Sequence, residues 1–191
     1  INAQVVECLT ECGVQSIGSP GYMFTLCQRK KPYEALEDGA KVTVDPGLVG
    51  EVVDVNPGPL YDLLESGVVP VIYPIGKDSD GVKLNVNADT MAAGIAAGVE
   101  CVEMVAITDV PGILLDVKDP SSKIDSITQS EAGKLIECGT ISGGMVPKVE
   151  ACCKALDAGV PVVRMVNGRD PRSIVTEIMK DVPHGTIIRK G

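Results

Sequence analysis

The sequence predicts an α/β fold in which helices cover a mainly parallel, open sheet. From Val53 onward, apolar runs suited to buried strands alternate with segments of helical period. Hydrophobic residues make up 45% of the 191 residues, but only 3% are aromatic. The core is therefore expected to consist of Val, Ile, Leu, Ala and Met side chains, which suit parallel sheets packed against helices.

The first half of the chain contains five segments whose sequence pattern is clear, and a helix-like stretch that begins at Asn2. LYDLLESG has the period of a helix and VVPVIYPIG that of a buried strand, whereas KDSDG is typical of a tight hairpin. The strand VKLNV then leads directly into the helix ADTMAAGIAAG. The stretch from Ser19 to Asp45 has no period and is expected to be a loop, a hairpin or a damaged copy of another element.

The second half opens with the apolar run CVEMVAITDV, which predicts a buried strand that ends in a loop at the carboxyl edge of the sheet. Thr128 and Glu131 have the spacing of a capping box, and Gly139 lies where a C′ glycine would end that helix. A helix from about Val146 to Ala158, the strand PVVRMV, the helix RSIVTEIMK and the strand GTIIRK follow. We see no repeat and no linker, so the simplest expectation is a single domain.

Composition excludes several classes of function. The net charge of -9 argues against a nucleic-acid partner, because such proteins need clustered Lys and Arg. No stretch is apolar enough to span a bilayer and no signal peptide opens the chain, so we expect a cytoplasmic protein without membrane contact. The seven cysteines form no CxxC pair and no metal-ligand set, and we expect them to be reduced and buried.

The segment NVNAD is the first of three that could carry chemistry. Asn85, Asn87 and Asp89 alternate along a strand end and would project to one side. Amides that donate to a carboxylate or phosphate, beside an acid that orients a lysine, would suit a binding site. An equally good interpretation is that Asn87 or Asp89 caps the following helix.

The segment TDVPGIL is the second, and it follows the strand CVEMVAI. On its own it would be an ordinary turn, but nucleotides bind at such strand ends. Its members are Thr108, Asp109, Val110, Pro111, Gly112, Ile113 and Leu114.

The third segment is TISGGMVPK, which begins with Thr140, Ile141 and Ser142 and ends at Lys148. A hydroxyl, paired glycines and a lysine ahead of a helix are the parts of a phosphate cradle. The simplest interpretation of Lys148 alone is a solvated side chain. His184, the only histidine, has no evident partner and is expected to be structural or on the surface, which sets catalytic triads aside.

Taken together and in order, these segments resemble the amino acid kinase family and, within it, the N-acetylglutamate kinases. The resemblance extends to GLVGEVVDVNPGPLYDLLESGVVPVIYPIG, GTISGGMVPKVEACCKALDAG and NGRDPRSIVTEI. It implies a three-layer αβα sandwich and transfer of the ATP γ-phosphoryl group to the side-chain carboxylate of N-acetyl-L-glutamate, a step of arginine biosynthesis. It further implies Mg²⁺ carried by ATP. Strand edges left unpaired by the absence of the family's N-terminal strands predict self-association, so we expect a homo-oligomer.

The resemblance also implies roles for individual residues. Asn85 would bind N-acetyl-L-glutamate, Asp89 would organise the catalytic lysines, and Lys148 would stabilise charge on the phosphoryl group in flight. The second segment and Thr140 to Ser142 would contact the nucleotide. Residues 1–52 would be the remainder of the substrate-side half and residues 53–191 the nucleotide-binding half.

The sequence departs from the family pattern in three places. The family's N-terminal glycine-rich strand and lysine have no counterpart, and GSPGYMFT stands where a glycine-rich hairpin is usual. Arg164 replaces the histidine of arginine-inhibited members, which argues against arginine feedback. We therefore expect a fragment that, by itself, binds nucleotide weakly and has little kinase activity.

Two alternatives remain open. One is a related kinase with another acceptor, such as the aminoadipate-type kinases of lysine biosynthesis, or more distant carbamate, glutamate or aspartate kinases. The other is a catalytically silent nucleotide-binding or regulatory module, against which the intact Asp89 and Lys148 argue.

Overall fold

The computed structural model describes residues 1–37, 40–179 and 185–191. The chain forms two compact units, Ile1–Val99 and Glu100–Gly191. Each unit combines helices with a mixed sheet, which confirms the predicted α/β class. The functional division predicted between residues 52 and 53 does not coincide with this boundary and stays a prediction.

The first unit contains three helices and eight strands among its described residues. In chain order they are α1 (Asn2–Glu11), β1 (Ser16–Pro20), β2 (Thr25–Arg29), β3 (Tyr33–Glu37), β4 (Ala40–Val44), β5 (Val49–Val55), α2 (Gly58–Glu65), β6 (Val69–Tyr73), β7 (Ile75–Lys77), β8 (Lys83–Val86) and α3 (Ala88–Gly98). A short 3₁₀ turn, Gly21–Met23, lies between β1 and β2.

The strands of the first unit form three separate sheets. The central sheet has the order β2-β5-β8-β7, β1 pairs with β6 in parallel, and β3 pairs with β4 as an antiparallel hairpin. Of the three alternatives stated for Ser19 to Asp45, the structure therefore shows a hairpin in its second part. The single strand predicted for VVPVIYPIG is wrong, because β6 and β7 belong to different sheets. Pro74 separates them, and a proline has no N–H with which to continue a ladder.

The core of the first unit lies between the central sheet and α3. Cys27, Leu84, Val86 and Met91 are buried together there, with Val52 and Ile95 against them. The burial of Leu84 and Val86 leaves Lys83 and Asn85 on the opposite face of β8, since successive side chains of a strand alternate. One face of β8 thus supports the fold while the other is exposed.

The second unit contains three helices and four strands in its described part. They are β9 (Met104–Thr108), β10 (Ser126–Thr128), α4 (Gln129–Glu137), α5 (Met145–Asp157), β11 (Val162–Asn167), α6 (Pro171–Met179) and β12 (Thr186–Arg189). The strand order is β10-β12-β11-β9, with only the β11–β12 pair antiparallel. The capping box of Thr128 and Glu131 is confirmed at the start of α4.

The second unit is packed by aliphatic side chains. Val149, Leu156, Val163, Met165 and Ile188 have no exposed surface. The sequence of this unit contains no Phe, Tyr or Trp at all, and the predicted aliphatic core is confirmed. Among the described residues, no helix combines the length and the apolar character needed to cross a membrane.

The cysteines differ from the prediction. All seven are free thiols, but only Cys27 and Cys152 are buried, and Cys8, Cys12 and Cys138 are exposed. The reason for Cys8 and Cys12 is that α1 buries none of its residues. Spacing along a helix shows which residues share a face but not whether that face is covered.

Candidate active site

The loop after β9 forms one wall of a cavity in the second unit. Thr108 ends the strand, and its hydroxyl donates a hydrogen bond to the carbonyl oxygen of Val110 (3.0 Å). The amide of Gly168 donates to the carbonyl oxygen of Thr108 (2.7 Å). These contacts turn the chain sharply away from the sheet, so that Asp109 and the residues after it face the cavity.

Thr186 on β12 holds the same loop in place, a role that no sequence motif indicated. Its hydroxyl accepts a hydrogen bond from the amide of Ile113 (2.9 Å) and donates one to the carbonyl oxygen of Ile124 (2.6 Å). Gly112 has φ +133°, and a Cβ there would lie 2.6 Å from the Thr186 hydroxyl oxygen. The glycine of TDVPGIL is thus required by a close approach as well as by its backbone conformation.

The segment between α4 and α5 forms the opposite wall. The predicted C′ glycine, Gly139, has φ +79°, and the amide of Ile141 donates to the carbonyl oxygen of Leu135 (2.9 Å). Beside this wall, the Thr140 hydroxyl lies 3.3 Å from the sulfur of Cys138. This hydrogen bond lowers the pKa of the Cys138 thiol below its ordinary value.

These walls enclose a cavity of about 540 Å³, within the range of small-molecule pockets. Its lining residues are Asp109, Val110, Pro111, Gly112, Leu114, Val117, Pro120, Thr140, Ile141, Ser142, Gly144, Met145 and Lys148. The fold therefore brings together two segments that lie about thirty residues apart and were singled out separately in the sequence.

Two of the residues predicted to contact the nucleotide do not line this cavity. Thr108 supports the turn, and Ile113 is fully buried beneath the loop. Four lining residues fall outside the predicted set: Val117, Pro120, Gly144 and Met145. The last two lie within TISGGMVPK and could have been found from that segment, whereas Val117 and Pro120 had no recognisable signal.

The charges of the cavity are concentrated at one point. The Lys148 ammonium pairs with the Asp109 carboxylate, and the guanidinium of Arg169 lies 3.6 Å from the other oxygen of the same carboxylate. The side chain of Lys148 is 31% exposed, so it is not the fully solvated group of the simplest interpretation. Two cations share one carboxylate, and this leaves a positive charge with which an anionic ligand could interact.

The N-terminus of α5 also lies at the cavity. Gly144 is its N-cap residue and provides no side-chain cap, and both Gly144 and Met145 line the cavity. A helix N-terminus carries partial positive charge and favours anions. Lys148 lies one turn into the same helix, so the local field and the lysine act in the same direction.

The remaining predicted residues belong to the first unit. Asn87 caps α3, because its side-chain oxygen accepts the amide of Thr90 (3.0 Å), so the capping interpretation is confirmed for that residue. Asn85 is exposed on β8, and its backbone N–H donates to the carbonyl oxygen of Leu48 (2.8 Å). Asp89 is exposed in the first turn of α3. His184 lies outside the described residues.

Comparison with known proteins agrees with this architecture. The family model described as "Amino acid kinase family" matches residues 1–167. The chain belongs to the amino acid kinase family. Among its relatives, the acetylglutamate kinases of Heliobacterium modesticaldum and Methanococcus maripaludis (strain C7) are each 41% identical to it, over 100% and 98% of the chain. The chain spans about 65% of the length of these curated relatives.

Solved structures with the same fold are similar to the chain at low sequence identity. N-acetylglutamate synthase from Neisseria gonorrhoeae aligns with 99% of the chain and 44% of its own, with a TM-score of 0.74 and 20% identity. Aspartokinase III from E. coli aligns with 99% of the chain and 38% of its own, with a TM-score of 0.67 and 20% identity. At these identities the likeness concerns the fold alone.

Proposed function

We propose that this chain supplies the nucleotide-binding part of an enzyme that transfers the γ-phosphoryl group of ATP to the side-chain carboxylate of N-acetyl-L-glutamate. The observation that carries the proposal is the cavity of about 540 Å³ with Lys148 and Asp109 at its charged end. The 41% identity to relatives named acetylglutamate kinase supports the acceptor.

The cavity suits a nucleotide in both shape and charge. Pro111, Leu114, Val117, Pro120 and Met145 offer apolar surface for a base. The N-terminus of α5 and Lys148 offer positive charge for phosphates. In this proposal Asp109 to Gly112, Leu114 and Thr140 to Ser142 contact the nucleotide, while Thr108 holds the loop and Ile113 packs beneath it.

In the proposed reaction a carboxylate oxygen of the acceptor attacks the γ-phosphorus, and the bond from that phosphorus to the oxygen of ADP breaks. The products are an acyl phosphate and ADP, and no proton transfer is needed. Catalysis then consists of positioning and charge neutralisation. Lys148 stabilises the charge on the transferred group once phosphate has displaced Asp109 from it.

The residues of the first unit complete the proposal. Asn85 donates an amide hydrogen bond to the acceptor, and Asp89 orients catalytic lysines. Mg²⁺ would be carried by ATP with retained waters and would neutralise phosphate charge there. A homo-oligomer and a cytoplasmic location remain predictions.

The test is a coupled ADP-release assay with ATP, Mg²⁺ and N-acetyl-L-glutamate, run on residues 1–191 and on the full reading frame that encodes them. We expect Lys148→Met to lower kcat by about 10²–10³-fold in the active form. Lys154→Met, at the exposed end of the same helix, is the matched control and should leave kcat unchanged.

The outcome also separates the alternatives. Turnover with aminoadipate-type, glutamate, aspartate or carbamate acceptors but not with N-acetyl-L-glutamate would show that the proposed acceptor is wrong. Nucleotide binding without turnover for any acceptor would favour the silent module. Activity that survives Lys148→Met would remove that residue from the mechanism.

A further inference from the structure

A cluster of cations occupies the exposed face of the central sheet in the first unit. In the antiparallel pair of β7 and β8, Lys77 lies directly opposite Lys83. The ammonium nitrogen of Lys77 is 4.2 Å from the ring centre of Tyr22, and that of Lys83 is 6.0 Å from it. Two lysines therefore converge on one aromatic ring.

The register shows that Asn85 shares this face. Gly76 faces the core, because a Cβ there would lie 2.3 Å from the sulfur of Cys27, so its neighbour Lys77 must face outward. Asn85 follows Lys83 by two residues on β8 and is exposed like it. Alternate residues of a strand are roughly 7 Å apart, a span that one small dicarboxylate can bridge.

The position of Tyr22 is fixed by the 3₁₀ turn Gly21–Met23. A Cβ on Gly21 would lie 2.5 Å from the terminal methyl group of Met91 and 3.3 Å from the carbonyl oxygen of Ile75, so the turn is pressed against β7. The ring is therefore held over the lysines by close backbone packing. An aromatic ring attracts ammonium groups and limits where they can move.

The opposed pair of lysines carries an electrostatic cost. Like charges directly opposite each other in a sheet are destabilising. Among the described residues, no carboxylate lies within 4.0 Å of either ammonium group. The nearby Asp78 carboxylate accepts the amides of Asp80 and Val82 within its own turn. The exposed acids of β5 are Glu51 and Asp54, which lie opposite Gln28 and Leu26 of β2.

We propose that Lys77 and Lys83 bind the α-carboxylate of the N-acylated acidic amino acid whose side-chain carboxylate accepts the phosphoryl group. Asn85 contacts the same molecule, and the Tyr22 ring orients the two ammonium groups. This inference rests on the proposed function. It assigns acceptor recognition to two lysines that no motif of the sequence had singled out.

The test compares Lys77→Met and Lys83→Met with Lys30→Met in the coupled assay, on whichever form is active. Lys30 is exposed in the same unit, and its replacement by Met removes the same charge. We expect KM for N-acetyl-L-glutamate to rise about tenfold in each of the first two variants, while KM for ATP and kcat stay within twofold. Lys83→Arg should restore most of the affinity, and urea unfolding would show that all variants are folded.

An acceptor analogue identifies the contact. N-acetyl-L-isoglutamine carries an amide in place of the α-carboxylate, so its binding should be weak in the wild type and unchanged by either lysine substitution. If the lysine variants lose equal binding affinity for N-acetyl-L-glutamate and for N-acetyl-L-isoglutamine, the α-carboxylate contact is refuted. If only KM for ATP rises in these variants, the lysines bind phosphate instead. If the wild type neither binds nor phosphorylates N-acetyl-L-glutamate, the proposed function itself fails. Normal turnover with unaffected lysine variants overturns only this inference.

Discussion

Arg164 is predicted to contribute more to the stability of the second unit than any exposed ion pair. Its guanidinium donates to Glu177 (2.6 Å) and pairs with Glu103, and its side chain is only 11% exposed. Burial disfavours the charged form, but the hydrogen bonds to Glu177 and Glu103 outweigh it and raise the pKa of Arg164 above its usual value. Arg164 is therefore charged at every pH at which the protein folds.

The magnitude follows from the burial of its partner. Glu177 is 1% exposed, and its second oxygen accepts the amide of Gly185 (3.2 Å). Arg164→Met keeps the apolar stem but removes the guanidinium, so a buried carboxylate loses its cation. Breaking such a pair costs about 3–5 kcal/mol. The matched control is Arg29→Met, since the Arg29 and Asp45 side chains are 49% and 57% exposed, and it should cost less than about 1 kcal/mol.

The assay is urea unfolding followed by two signals. All four tyrosines lie in the first unit, so their fluorescence reports on that unit alone, whereas amide hydrogen exchange in β11 and β12 reports on the second. We expect the loss of stability in Arg164→Met to appear as faster amide hydrogen exchange in these two strands. Adding Glu177→Gln should recover part of it, because the buried negative charge that faced the Arg164 guanidinium is then absent. A cost below about 1 kcal/mol, or no recovery in the double variant, would refute the reasoning.

Two further predictions concern backbone and cap. Gly185→Ala should lower the free energy of unfolding by at least about 3 kcal/mol, because the new Cβ would lie 1.7 Å from the carbonyl oxygen of Met165. Gly133→Ala, where a Cβ would have no atom within 4 Å, should instead stabilise helix α4 by about 0.5–1 kcal/mol. Equal urea midpoints for the two variants would contradict this. Thr128→Ala should cost about 1 kcal/mol near neutral pH through loss of the helix cap. Hydrogen bonds from the amide and hydroxyl of Thr128 lower the pKa of Glu131, so the stability they give is present above the unfolded pKa of about 4.3 and is lost as the pH falls through the folded value. The difference in Tm between Thr128→Ala and the wild type should therefore become smaller in acid. A difference that grows in acid would show that Glu131 does not stabilise the helix in its charged form.

The elements that the sequence determined are those whose contacts are local. The helix ADTMAAGIAAG appears as α3 with the same ends, and its cap, Asn87, lies one residue ahead of it. The capping box at Thr128 and Glu131 needs only four consecutive residues. Hydrogen bonds within one turn depend on residue types at fixed spacing, so they can be predicted before the tertiary structure is known.

The site was only partly determined in this way. The segments around Asp109 and Lys148 could be found singly, because each ends or begins an element with suitable chemistry. Their pairing across thirty-nine residues, the support from Thr186 and the buried partners of Arg164 depend on which strands become neighbours and in which register. The lysine pair at Lys77 and Lys83 arises in the same way, since a change of one residue in register would turn one of the two toward the core. The periodicity of a segment determines which of its residues share a face. Which faces, charges and loops come into contact depends on the pairing and register of strands that are distant in the sequence.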